Sequence, residues 1–300
     1  MLSSVLALFL GACSQDKQND VKESHGLKIV TSFYPVYSMV KAVSGDLNDV
    51  RMIQSSSGIH SYEPSANDIA AIYDADVFVY HSHTLESWAG SLDPSLQKSK
   101  VKVLEASEGM TLDRVYGLED IEVGKDVDEK SLYDPHTWLD PEKVAEEAQI
   151  IADKLSELDS ENKEIYQSNA KKFIDQAHEL TNKYKPIFDK VEQRTFVTQH
   201  TAFSYLAKRF DLNQLGIAGI SPDQEPSPRQ LTEIQEFVKT YKVKTIFTES
   251  NASSKVAETL IKSTGVSLKT LNPLESDPQN DKSYLDNLEE DIAILAEELK

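Results

Sequence analysis

From Leu27 onward the chain alternates short apolar runs with longer amphipathic ones. Residues 27–31, 50–53, 76–80 and 101–104 are rich in β-branched and aromatic side chains and predict strands. Between them, residues 35–43, 65–73 and 85–92 carry helical spacing. Strand–helix alternation of this kind implies parallel strands joined by helical crossovers.

After Pro141 the texture becomes nearly all helical. Pro141 suits a first helical position, and Val144, Ala145, Ala148 and Ile151 then recur on one face. Further on, Tyr166, Ala170, Phe173, Ala177, Leu180, Tyr184, Ile187 and Val191 form one apolar stripe. Residues 160–185 would span about 39 Å as a helix. That length outruns a single sheet and suits a bridge between two lobes, or else a helical hairpin on one. Pro186 is expected to kink its last turn. Alternation then resumes, with strands at 195–198, 212–217, 245–248 and 267–271 and helices at 201–210, 227–241, 254–263 and 284–299. The fold class is therefore α/β: two lobes of about four strands each, (β/α)4-like, joined by a long helix. The expected boundaries are 27–158 for the first lobe, 159–192 for the linking helix and 193–300 for the second lobe.

The first residues do not fit this pattern. Val5 to Leu10 is apolar but too short to span a bilayer, and it runs into Leu10-Gly11-Ala12-Cys13. This resembles a bacterial lipoprotein signal over residues 1–12, with Cys13 as the lipidated residue and 13–26 as a polar tether. The positive residues that usually open such a signal are missing, which points to a true start further upstream. The plainer alternative is a buried apolar N-terminal segment. Cys13 is the only cysteine, so no disulfide or zinc–thiolate cluster forms within the chain. The net charge of −19 argues against nucleic acid and against basic docking on anionic lipid. A monomer is expected.

Candidate chemistry lies in the histidines. "SLYDPHTWLDP" sets His136 between two Asp-Pro pairs, and each proline restricts the residue before it to extended backbone. His60 follows the strand at 50–53, His200 follows the strand at 195–198, and Glu275 follows the strand at 267–271. In open α/β sheets the ligand crevice lies beyond the carboxyl ends of the strands. Two of these residues come from each lobe, so facing lobes would bring them together. Three imidazoles and one carboxylate suit a tetrahedral zinc site, whereas calcium and magnesium want mostly oxygen. Manganese favours more carboxylate, and copper or nickel would also bind such a set. Each residue also admits a plainer role: a polar loop for His60, a capped turn for His136, a helix cap for His200, a solvated turn for Glu275. Glu249 ends a strand too and rivals Glu275 for the carboxylate, although such a residue more often pairs behind the ligands. His81 and His83, in "YHSHTLESW", are read either as a transient accessory metal site near the cleft mouth or as loop residues. His25 and His178 are assigned no metal role.

Five stretches together, "SFYPVY", "GIHSYEPS", "DPHTWLDP", "TQHTAFSYLAKRF" and "NPLE", resemble the metal-binding lipoproteins of bacterial ABC importers, the zinc and manganese solute-binding family. The resemblance covers the whole chain after the signal. It looks closest to streptococcal zinc-binding lipoproteins that are also described as laminin-binding. It implies two α/β lobes on a rigid helix, with zinc in the cleft held by His60, His136, His200 and Glu275. Manganese-type relatives tend to place glutamate and aspartate at the last two positions, so the zinc side is expected. Several zinc-type relatives carry a histidine-rich loop, but residues 117–130 here are acidic and contain no histidine.

The expected role is zinc capture outside the cytoplasmic membrane, anchored through Cys13, with delivery to an ABC permease and its ATPase. The chain is not expected to be an enzyme. Two other roles stay open. One is a zinc-dependent adhesin that meets laminin, another matrix protein or other zinc-binding surface proteins. The other is a hydrolase or lyase with a three-histidine zinc site and Glu275 as base, although no HExxH is present.

Overall fold

The computed structural model describes residues 26–53, 58–115, 132–222, 226–249 and 255–300. Cys13, His25, the expected signal (1–12) and tether, and the whole acidic 117–130 stretch lie outside them.

Two four-stranded sheets are present, both fully parallel. The first is built from β1 (Lys28–Thr31), β2 (Asp49–Met52), β3 (Val77–Tyr80) and β4 (Lys102–Glu105), in the order β2-β1-β3-β4. The second repeats the plan with β5 (Thr195–Thr198), β6 (Asn213–Gly216), β7 (Thr245–Thr248) and β8 (Ser267–Thr270), in the order β6-β5-β7-β8. The central strands β3, β5 and β7 are buried at every residue, as helix-covered parallel strands must be. Order reversal between the first and third strand of each sheet creates a switch point, where the strand exits open into a crevice.

Local chemistry sets the helix starts. The first half holds α1 (Tyr34–Ser44), α2 (Ala66–Asp74), α3 (Ser87–Leu96) and α4 (Pro141–Leu158). Pro35 opens α1, and Gly45 ends it at φ +57, a backbone that favours glycine. Ser65 and Asp68 form a reciprocal capping box on α2. Asp140 caps α4 through the Glu142 amide, with Pro141 in the first turn. The helix α5 (Lys163–Phe188) follows. The second half holds α6 (Ser204–Arg209), α7 (Pro228–Thr240), α8 (Lys255–Thr264) and α9 (Tyr284–Glu298). Ser227 with Gln230 and Ser283 with Asp286 box the starts of α7 and α9.

The 26-residue α5 packs on α4 and α1 of the first half and on α9 of the second. Near its start, Asn48 Nδ2 donates to Tyr166 OH at 3.1 Å and Asn169 Nδ2 donates to the Val43 carbonyl at 3.1 Å. Near its end, Tyr184 OH donates to Glu289 at 3.2 Å and Phe188 stacks on Phe210 with centroids 4.5 Å apart. The buried stripe runs as expected to Tyr184 but then takes Phe188 rather than Ile187. A straight helix drifts off a strict 3.5 repeat, so four residues rather than three complete the last step. One apolar core runs from the first sheet through α5 to α6 and α9. A smaller one lies between the second sheet and α7 and α8. Among the described residues no helix is long and apolar enough to cross a membrane.

Candidate metal centre

Three loops at strand exits and one loop ahead of α4 each contribute one side chain to a common point. After β2, Gly58 takes φ +80 and starts a turn that carries His60, with Ile59 buried beside it. The turn is tied down by Tyr62, which is buried and donates its hydroxyl to Asp68 at 2.9 Å. Ahead of α4, Asp134-Pro135 leads into His136 and a short 3-10 turn over Thr137–Leu139. Beyond β5, the His200 carbonyl accepts from Thr198 Oγ1 at 2.6 Å and from Gln214 Nε2 at 3.1 Å. Beyond β8, Asn272 Oδ1 accepts from the Leu274 amide at 3.0 Å, and buried Leu274 sits at φ +54. That turn presents Glu275, and Asp291 on α9 holds its first amide, at Asn272, at 2.9 Å.

The functional atoms converge. His60 Nε2 lies 3.2 Å from Glu275 Oε1 and 3.2 Å from His136 Nε2. His200 Nε2 lies 3.3 Å from His136 Nε2 and 3.1 Å from Glu275 Oε1. His136 Nε2 and Glu275 Oε1 are 3.9 Å apart. One ligand atom from each of the four falls within 4.8 Å of all the others. Zinc bonds of about 2.0–2.2 Å at tetrahedral angles put neighbouring ligand atoms roughly 3.3–3.6 Å apart. The observed edges bracket that size. The three rings meet at centroid distances of 5.1, 5.2 and 5.5 Å, with no common plane. This group is the one cluster of three or more such residues found among the described residues. His136 and His200 are fully buried and Glu275 nearly so, while His60 keeps partial exposure and marks the open side.

Carboxylates behind the rings set the tautomers. Asp134 Oδ1 accepts from His136 Nδ1 at 2.7 Å, and Glu249 Oε1 accepts from His200 Nδ1 at 2.5 Å. With each Nδ1 donating outward, each Nε2 is aimed at the common point, as metal-binding histidines require; that of His200 is open to a metal once it sheds its proton. Glu249 thus stands behind a histidine and not in the cluster; a strand-end glutamate paired with a strand-end histidine was the only signal for it.

The charges are uneven. Burial drives His136 down to about 4, against the pull of Asp134, so its ring is neutral at physiological pH. Burial also opposes charge on His200, but hydrogen bonds to Glu249 and Glu275 outweigh it and push the ring up to about 10. Burial would raise Glu275; His200 and His60 outweigh it and hold the carboxylate well below its usual range. The site is therefore built around a carboxylate that stays ionised, one neutral ring and one ring that must give up a proton to a metal.

His81 and His83 fall elsewhere. His81 is fully buried behind the centre, donating Nε2 to the Pro135 carbonyl at 2.7 Å, with Nδ1 3.5 Å from Glu147 Oε2. Burial opposes its charge, yet Glu147 pushes it up to about 9. It presents nothing to the cleft mouth. His83 is part-exposed, stacked on Tyr80 with centroids 5.1 Å apart and bonded to the Tyr80 hydroxyl at 2.5 Å. The two do not join in a site of three or more ligand-type residues among the described residues. His178 pairs with Glu142 at 2.8 Å on the surface.

The family model described as zinc-uptake complex component A, periplasmic, matches residues 29–298. The zinc-binding lipoprotein AdcA of Streptococcus pneumoniae is 41% identical over the full length of this chain, which spans 59% of that relative's length. A solved Zn(II)-bound variant of AdcAII from Streptococcus pneumoniae is 82% identical, with a TM-score of 0.87 over 92% of this chain and 99% of that one. The laminin-binding protein Lmb of Streptococcus agalactiae, described as bifunctional with adhesin and metal-transporting activity, is 59% identical, with a TM-score of 0.85 over 92% of this chain and 100% of that one. The chain belongs to the zinc-uptake complex component A family.

Proposed function

We propose that this member of the zinc-uptake family captures Zn2+ as cargo outside the cytoplasmic membrane and delivers it to an ABC permease and its ATPase. His60, His136, His200 and Glu275 are the ligands. One observation carries the reading: five of the six edges between the four ligand atoms measure 3.1–3.9 Å and all lie within 4.8 Å, close to the size of a zinc tetrahedron, in a mostly buried pocket. Four protein ligands fill the coordination sphere and leave no position for a reactive water, so the site captures rather than catalyses. Glu275 Oε1 stands among the Nε2 atoms and does not stand off as a base. In this reading residues 1–12 are a signal, Cys13 carries the lipid, 13–26 tethers it, and the lobes span 27–158 and 193–300 about the helical link 159–192. The binding unit acts as a monomer.

The test is a metal titration of a soluble form that begins after Cys13, stripped and then titrated separately with zinc and manganese against a competing chelator. One tight zinc per chain, lost in His60→Ala and in Glu275→Ala, is the expected result. Tight manganese with weak zinc would reverse the metal assignment, and no tight metal would remove the capture role.

A second reading has one observation behind it, the 59% identity to a protein described as both adhesin and metal transporter. Binding of laminin, if bridged by the ion, is abolished by chelation and by His200→Ala. Binding that survives both would place adhesion on another surface.

A further inference from the structure

The seam between the two halves passes through one residue that touches a ligand. Asp134 is 3% exposed. Its Oδ1 accepts from the His136 amide at 2.9 Å and from His136 Nδ1 at 2.7 Å. Its Oδ2 accepts from the Ser204 hydroxyl, and its carbonyl accepts from Tyr205 OH at 2.9 Å. Ser204 and Tyr205 are the first two residues of α6, four and five residues beyond His200. Tyr205 OH also accepts from the Asp113 amide at 2.8 Å, on the strip that pairs with the Asp134 backbone. The far end of α6 is fastened separately, by Lys208 to Asp113 at 2.7 Å and by Arg209 to Asp140 through two bonds of 2.9 Å.

We propose that Asp134 is a positioning residue that couples α6 to His136, so that the grip on the ion follows how closely the two halves are docked. The inference rests on the zinc-capture reading. A carboxylate has a soft, two-fold terminal torsion. Here each oxygen is committed to a different partner, one on the ligand and one on the opposite half, and the torsion is fixed from both ends. If α6 withdraws, Ser204 and Tyr205 leave together. Oδ2 is then free to turn, and the acceptor that aims the His136 ring loses its own support. Partners behind a metal-binding histidine govern affinity in this way without touching the metal. The arrangement links a mechanical event at the seam to release of the cargo.

The experiment is zinc release from the loaded full chain into excess chromophoric chelator, followed by stopped flow. Ser204→Ala is expected to release zinc faster than wild type by up to about 10-fold, the low end of the 10–100-fold lost when a histidine's own partner is removed. Ser204→Thr keeps the hydroxyl and returns the rate towards wild type. Arg229→Ala, which removes only an exposed pair to Glu233 within α7, away from the seam, leaves the rate unchanged. In an Asp134→Asn background, Ser204→Ala adds nothing further, because the two act through one contact. The melting midpoint of the metal-free Ser204→Ala protein stays near wild type, which separates coupling from loss of structure. Unchanged release in Ser204→Ala, failure of Ser204→Thr to rescue, or additive effects in the double variant would overturn the inference while tight zinc binding stands. A wild-type chain with no tight zinc would overturn the capture reading itself.

Discussion

His136 and His81 occupy neighbouring buried sites, and Trp138 touches both, with ring centroids 5.0 and 5.1 Å away. Each has a carboxylate near Nδ1, Asp134 for one and Glu147 for the other. The difference is what Nε2 faces. In His136 it faces two other imidazoles and Glu275 across open geometry; in His81 it is committed to the Pro135 carbonyl. Burial drives the His136 ring neutral, whereas at His81 Glu147 outweighs burial and keeps the ring charged. A buried histidine is thus placed to take an ion only where one nitrogen is left for the cleft. The other kind braces the backbone that carries the ligand.

Loss of a ligand should give the largest effect. A structural zinc site contributes about 10–16 kcal/mol, so removing one of four ligands by His136→Ala should cost roughly 100–1,000-fold in affinity, measured by chelator competition. The metal-free fold should persist. His81→Leu should invert this pattern. It strands Glu147 in the core and lowers unfolding stability by about 3–5 kcal/mol in a urea titration, with a smaller effect on zinc. A fold indifferent to His81 would erase the distinction. Glu249→Gln, behind His200, should weaken zinc by about tenfold or somewhat more, with the same chelator competition as readout.

Acid should act on zinc through His200. Its ring is protonated in the metal-free protein at neutral pH and must release that proton to bind, so affinity falls as pH falls, and zinc uptake releases protons into a weak buffer. In the metal-free protein the sign reverses. A raised histidine stabilises fully below its unfolded value near 6.5 and loses that contribution as pH rises towards 10. Loading with zinc should therefore flatten or reverse the alkaline arm of the stability profile. The smallest effect belongs to His83→Ala, on the part-exposed Tyr80 contact, which should leave zinc affinity unchanged in the same competition assay.

The sheets were readable from apolar runs because central parallel strands bury both faces: residues 195–198 and 245–248 are strands at the expected bounds. The helix expected from Thr201 begins at Ser204 instead, because the Thr201 amide goes to the Gly219 carbonyl and the Ala202 amide to that of His200. That turn aims His200, and only the folded second lobe supplies its partner. That His60, His200 and Glu275 sit at strand exits, able to meet, was legible from chain order. The roles of Asp134 and His81 were not, since each depends on contacts 54 to 71 residues apart. Asp134 was in plain view beside His136, but its tie to Ser204 and Tyr205 belongs to the docking of two halves.

Trp138 also makes the centre visible. Its indole N–H donates to the Pro273 carbonyl at 2.8 Å, its ring lies against His136, and its own carbonyl accepts from Tyr284. The only other tryptophan is Trp88, packed against Tyr62 and Phe78. With Trp88→Phe, emission would come from a single dry indole seated between the His136 and Glu275 loops. Filling the site changes the electric field at that ring, so the protein carries its own optical gauge of occupancy, and arrival and departure of the ion can be timed without a dye.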